Sequence, residues 1–185
     1  MTARRATPKK SQRAPLTVSR KELLAANTDD AFRHFVHGLL AFSERVLAVR
    51  EGFGAAIGLT GIQYTVLVTV AHLEPRQEVS VGTVASHLHL SGAFITTVTN
   101  QLEKLEMLRK GRNERDRRVA VLSPTPKALQ ALERLAPLQQ QVNDELFGTL
   151  TRAQFEQLSA AMDAWIGSGD RAVVLLDYLR RNLPK

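Results

Sequence analysis

The chain has 185 residues, 44% of them apolar and 23% charged, the balance of a globular protein with a substantial core. It has no cysteine, which excludes a disulfide framework, a thiolate zinc site and a cysteine redox switch, and fits a reducing, cytoplasmic setting. Its formal net charge of +7 favours an anionic partner, while no apolar run nears the roughly 18 residues that a membrane span requires and the N-terminus lacks a signal-peptide apolar region, so no membrane partner is expected.

The charge is concentrated at the start. Residues 1–21 hold Arg4, Arg5, Lys9, Lys10, Arg13, Arg20 and Lys21 without a single acid, and from Glu22 onward basic and acidic side chains balance. With Pro8, Pro15 and few large apolar residues, this leader is expected to be disordered. It serves either as a non-specific DNA-binding arm or only as a solvated extension.

One domain is expected over 22–185. Thr28 is placed to cap a first helix, about 28–51, striped by Phe32, Phe35, Val36, Leu39, Leu40, Ser43, Val46 and Leu47, with Asp29 and Asp30 at its positive end. Gly52, Gly54 and Gly58 are read as the loop that ends it. Thr60 and Gln63 form a capping box for a helix with Ile62, Val66, Leu67 and Val70 inward, stopped by Pro75.

Two shorter helices come next. Ser80 caps the first, with Val81, Val84, Ala85 and Leu88 on one face; Ser91 caps the second, where Ile95, Val98, Leu102 and Leu105 form an apolar stripe. The opposite face of that second helix carries Gly92, Ala93, Thr96, Thr97, Asn100 and Gln101. Small side chains admit a DNA backbone closely, and Asn or Gln pairs with adenine in a major groove. Between Ser91 and Glu103 there is no basic residue, so phosphate attraction falls to Lys104 and to the basic segment beyond it.

From Met107 to Leu122 two strand-like runs flank a turn, and the hairpin collects Arg109, Lys110, Arg112, Arg115, Arg117 and Arg118 against Glu114 and Asp116. Such a density of like charge is stabilised by a polyanion, and an arginine at the tip fits a narrow minor groove. A basic loop that only confers solubility is the alternative. Helix, turn, helix and hairpin in this order outline a winged helix-turn-helix, over about 59–124.

After the hairpin, Thr125 and Pro126 supply an N-cap and a proline at the first helical position for a helix marked by Leu129, Leu132, Leu135, Val142 and Leu146, with a kink expected near Pro137. Thr151 and Gln154 cap another, bearing Phe155, Leu158, Met162, Trp165 and Ile166. Gly167, Ser168 and Gly169 are read as a break, and Asp170 as the cap of a last helix with Val173, Val174, Leu176, Leu179 and Leu183. These stripes require apolar partners, intramolecular or from a second copy.

Catalytic chemistry is not indicated. There is no zinc-protease motif, P-loop or dinucleotide fingerprint, no cofactor is expected, and the chain is not read as an enzyme. His34 and His37 share a side of the first helix near Glu44, but two ligands without a third make a poor zinc site, and no metal is expected. His87 and His89 sit where they can meet a phosphate.

The succession L-S-G-A-F-I-T-T-V-T-N-Q-L-E-K-L, then R-N-E-R-D-R-R-V-A-V-L-S-P-T-P-K-A, resembles the MarR family of bacterial regulators, in which a recognition helix precedes a D-R-R wing and a threonine-led long helix. The resemblance extends back to L-T-G-I-Q-Y-T-V-L at Leu59–Leu67 and covers most of Asp29 to Trp165. Two departures stand out: Glu106 replaces the glycine that closes many family recognition helices, and Gly92 and Thr97 stand where many members carry arginine.

The resemblance implies a mainly α fold, with a winged helix-turn-helix head, a small β-wing, and N- and C-terminal dimerisation helices at about 28–51 and 126–183. It implies a homodimer on a pseudo-palindromic operator in double-stranded DNA, with Asp116 and Arg118 bracing each other in the wing. It further implies a repressor released by a small effector, often an aromatic carboxylate, for which Phe42, Arg45, Tyr64, Val68 and His72 are candidates. The DNA-contacting set is then Ser91, Gly92, Ala93, Thr96, Thr97, Asn100, Gln101, Lys104, Arg112, Arg115, Asp116, Arg117 and Arg118. A sequence-tolerant DNA-compacting protein and an enzyme or interaction module on the same fold remain as alternatives.

Overall fold

The computed structural model describes residues 14–112 and 120–183, with the side chain of Arg112 outside the description. Six helices and one two-stranded sheet succeed each other as α1 (Asp30–Ala56), α2 (Gly61–Leu73), α3 (Val81–Leu88), α4 (Gly92–Lys104), β1 (Leu108–Arg112), β2 (Ala120–Pro124), α5 (Pro126–Phe147) and α6 (Arg152–Arg181). The mainly α winged helix-turn-helix class is therefore observed. Two compact units divide the chain, Met1–Ala131 and Leu132–Lys185, where one domain is expected from the sequence.

In the first unit the core is built where the apolar periodicities point. Val66, Leu67 and Val70 of α2, Val84 of α3, and Ile95, Val98 and Leu102 of α4 are buried with Val79, Leu108 and Leu122. Leu105 does not continue the stripe of α4; it is the C-cap residue and is exposed. Strands β1 and β2 are antiparallel, Leu108 opposite Pro124 and Arg112 opposite Ala120. Leu122 N–H donates to Val79 O (2.7 Å), and Ser80 bridges Val121, so the chain entering α3 extends the sheet beside β2.

Expected caps form at α2, α3, α4 and α6, where Thr60, Ser80, Ser91 and Thr151 accept backbone N–H bonds from Gln63, Thr83, Phe94 and Gln154. Thr125 Oγ1 accepts from Ala128 N–H (3.1 Å), with Pro126 at the first position of α5. That helix continues through Pro137, whose missing N–H leaves the carbonyl of Glu133 without its usual helical donor.

Three sequence expectations change. Gly52 and Gly54 lie inside α1, and only Gly58, at φ +73°, makes the turn. Gly54 is required for another reason: a Cβ there would stand 2.7 Å from the Thr60 carbonyl oxygen, where the end of α1 passes the start of α2. The Gly167-Ser168-Gly169 break is absent, because α6 runs unbroken to Arg181. Each helical glycine costs only about 1 kcal/mol, and Ser168 Oγ bonds back to the carbonyls of Ala164 and Trp165 without leaving the helix, so Asp170 lies within α6 and not at the start of a separate helix.

The start of α1 is the third. Thr28 does not cap it; its hydroxyl donates to Ala25 O (3.1 Å), and the N-cap position belongs to the buried Asp29. That carboxylate turns away from the helix N–H groups. It accepts from Thr17 N–H and Oγ1 (2.7 and 2.6 Å) and from Arg33 Nε (3.0 Å), while Arg33 Nη2 reaches the Pro15 carbonyl (2.7 Å). The leader, expected to be disordered through residue 21, is thus anchored from Pro15, and Lys21–Leu23 form a 3-10 turn; residues 1–13 lie outside the described residues.

The bonds from Arg33, then those from Thr17, hold the Asp29 carboxyl well below the usual carboxylate range. A depressed folded-state pKa contributes stability that is present above the unfolded value of about 3.9 and lost as pH falls below it. Asp29→Asn should therefore lower Tm at pH 7 and show a smaller further loss between pH 4 and pH 2 than the parent, as read by thermal melts across that range.

Glu106 takes φ +58°, the left-handed conformation that a glycine would supply without strain, as α4 gives way to β1. Surrounding bonds hold it there. Its carbonyl accepts from Thr125 Oγ1 (2.6 Å), Lys127 Nζ donates to Leu105 O (2.9 Å) and pairs with the Glu106 carboxylate (3.3 Å), and Thr125 N–H donates to Met107 O (3.1 Å). A left-handed residue costs roughly 1–2 kcal/mol, whereas the added unfolded-state freedom of glycine costs about 0.4–1 kcal/mol. Glu106→Gly should leave stability unchanged or raise it by up to about 1 kcal/mol in urea denaturation, with the midpoint moving and the slope unaltered.

Candidate nucleic-acid interface

Burial fixes the rotation of α4. With Ile95, Val98, Thr99 and Leu102 inward, the exposed residues Ala93, Thr97, Asn100 and Lys104 fall at i, i+4, i+7 and i+11, along one outward line of the helix. Ser91, Gly92, Thr96 and Gln101 are exposed beside it. A Cβ at Gly92 would meet nothing within 4 Å, so the protein itself does not need a glycine there. The turn into α4 passes through His89 at φ +53°, then Leu90, whose N–H donates to Ala85 O (3.0 Å). Phe94, a large aromatic on the first turn of α4, is exposed too and was not singled out by periodicity.

Polar side chains on this surface are already organised by the protein. Thr96 and Thr97 hydroxyls donate back to the carbonyls of Gly92 (2.8 Å) and Ala93 (3.2 Å). Gln63, identified from sequence only as a capping residue, also donates from Nε2 to Gln101 Oε1 (3.1 Å), tying α4 to the start of α2. Lys110 of β1 donates to Asn100 Oδ1 and pairs with Glu103 (2.8 Å). By sequence Lys110 counts among the wing cations; nothing in its local pattern signals a bond back to the helix.

Of the wing residues expected to contact DNA, Arg115, Asp116, Arg117 and Arg118 lie outside the described residues, as does the side chain of Arg112. The strands on either side of these residues are described, and β1 begins directly after the end of α4.

The effector candidates differ in exposure and in partners. Tyr64 is buried, edge-on to Phe53 (ring centroids 5.7 Å apart), and the Arg50 guanidinium lies over its ring at 5.2 Å. Arg50 also donates to Thr65 Oγ1 (2.7 Å). Arg45 is exposed and bonds to the Ala41 carbonyl (2.8 Å), Phe42 is exposed on α1, Val68 is half-buried, and the exposed His72 gives its carbonyl to Arg76 (2.5 Å). His34 and His37 are exposed on α1, and among the described residues no group of three metal-ligating side chains forms.

The MarR family profile matches residues 57–119, which run from the end of α1 to the residue before β2. The winged helix is similar to that of the MarR family. Solved structures of similar fold include AbsC, a MarR family transcriptional regulator from Streptomyces coelicolor, at 20% identity over 80% of this chain and 97% of that one, with a TM-score of 0.64. The MepR–DNA complex from S. aureus is similar at 14% identity, covering 80% of this chain and 99% of that one, TM-score 0.58. Bordetella bronchiseptica BpsR, described with regulation of its DNA binding by 6-hydroxynicotinic acid, is similar at 22% identity, covering 70% of this chain and 90% of that one, TM-score 0.57. A search of curated protein sequences gives no match. Among the described residues no single helix is long and apolar enough to cross a membrane.

Proposed function

We propose that this MarR-type chain is a DNA-binding transcriptional repressor that acts as a homodimer, with α4 in the major groove and the basic wing against the backbone or minor groove. The outward line Ala93, Thr97, Asn100 and Lys104, ending where the arginine-rich hairpin begins, carries this reading. Small residues at the start of the helix, an open Gly92 and a cation at its end match a helix that enters the groove by its N-terminal turns. The DNA complex of MepR supports it.

BpsR is described with regulation of its DNA binding by an aromatic carboxylic acid, and we infer an effector of that class here, with Phe42 and Arg45 of α1 and Val68 and His72 of α2 as its accessible candidates and the buried Tyr64 behind them. Dimerisation is supported by apolar side chains left on the surface, Leu39, Leu40 and Leu47 in α1 and Leu158, Met162, Val173, Leu176 and Leu179 in α6.

Sequence-tolerant DNA packaging is favoured by one observation, the seven basic residues and no acids of residues 1–21. Binding to the DNA upstream of the protein's own gene, against random duplex at several salt concentrations, separates the two. Repression predicts a specificity ratio of at least about 10³, and a ratio near one supports packaging. Arg117→Ala should weaken both duplexes alike and flatten the salt slope by about one charge; an unchanged slope would remove the wing from the interface.

Two heads joined by one two-fold interface meet the same face of the duplex. Half-sites should then lie about 10 to 10.5 bp apart, centre to centre, in a footprint. Light scattering should return a dimer at micromolar concentration, and a monomer that protects a single half-site would overturn the homodimer.

A further inference from the structure

The hydrogen-bond partners of Asn100 and Gln101 determine which end of each amide is offered outward. A backbone N–H only donates, so the bond from Thr60 N–H to Gln63 (3.0 Å) fixes Oε1 as the acceptor and leaves the Gln63 amino group as donor. That amino group meets Gln101 at 3.1 Å, which makes the contacting atom of Gln101 its carbonyl oxygen. Lysine ammonium also only donates, so the atom of Asn100 that faces Lys110 is Oδ1; Glu103 holds the same ammonium in place at 2.8 Å.

Both amide oxygens are therefore engaged within the protein, although both residues are exposed. Among the described residues, no group accepts from either amino group. Thr96 and Thr97 have spent their hydroxyl hydrogens on the helix backbone, and Lys104 offers hydrogens only.

We propose that α4 is built to read hydrogen-bond acceptors, so that Asn100 and Gln101 each select guanine or thymine and reject cytosine, with Lys110 and Gln63 as the residues that set this specificity. Guanine offers N7 and O6 and thymine offers O4; adenine sets its N7 beside an amino group that then lacks an acceptor, and cytosine presents only an amino group at this edge. Bidentate pairing with adenine, the pairing expected from Asn and Gln by residue type, needs a free oxygen as well as the amino group of the same amide. Here the oxygen is held toward its protein partner, so the amide is not oriented to offer both ends to one base. This inference rests on the reading of α4 as the groove-entering helix and deepens it.

Selection of the full-length protein and two variants against a pool of randomised duplexes tests it. The parent should enrich guanine or thymine at the two positions facing Asn100 and Gln101, with cytosine disfavoured about tenfold. Gln63→Glu keeps an oxygen to accept the Thr60 N–H but has no hydrogen to give; Gln101 must turn its amino group inward and present its oxygen. Its base position should switch to adenine or cytosine while the remainder of the selected site is unchanged. Lys110→Met releases Asn100 Oδ1, and adenine at that position should gain about tenfold relative to the parent.

Parent-like selection by both variants, with parent-like melting, would overturn the proposal, as would adenine or cytosine at both positions for the parent. A different result identifies failure of the underlying reading: if the parent binds duplex without selecting any sequence, and Asn100→Ala binds the pool as tightly, α4 does not read bases and the proposal falls with it.

Discussion

Rotation of α4 about its own axis is the constraint on which the interface depends, and burial of one apolar stripe imposes it. Ile95, Val98 and Leu102 leave water against α2 and α3, and a helix so anchored presents its opposite side without further instruction. A rotation by one residue, about 100°, would expose part of that stripe and bury Asn100 or Lys104 in its place. The hydrophobic and the functional faces are consequences of the same packing.

Polar clamps at either side of α4 refine what burial sets coarsely. Gln63 reaches it from the start of α2, and Lys110 reaches it from β1, so helix and wing are connected by side chains that belong to neither the core nor the proposed contact surface. Such bonds between exposed groups contribute little to stability. Their consequence is orientational, because an amide that is free to turn offers a donor and an acceptor indifferently, and a clamped one offers a single end.

Two strained or buried features mark where local preference yields to tertiary demand. Glu106 occupies a conformation suited to glycine, and the carbonyls around it are satisfied by Thr125 and Lys127 from the start of α5, so the exit from α4 is held from the far side of the wing. Asp29 stands at a helix N-terminus yet gives its carboxylate to Thr17 and Arg33, which anchors the chain immediately after the most basic part of the leader. In both cases the residue type suggests one role locally and the fold assigns another.

Sequence alone determined the order of elements in the winged helix, the caps at Thr60, Ser80, Ser91, Thr125 and Thr151, and the buried sides of α2 and α4. Each of these is local: a cap spans three residues, and burial repeats with the helical period. It misjudged Gly52, Gly54 and Gly167 to Gly169 because a glycine's cost in a helix is small enough for neighbouring turns to absorb. Only the tertiary structure decided that Gln63 meets Gln101, 38 positions away, that Lys110 turns back to Asn100, and that Arg50 covers Tyr64. Periodicity tells which side of a helix faces inward, but the partner of a polar side chain depends on where a distant segment has been placed, and no local pattern carries that distance.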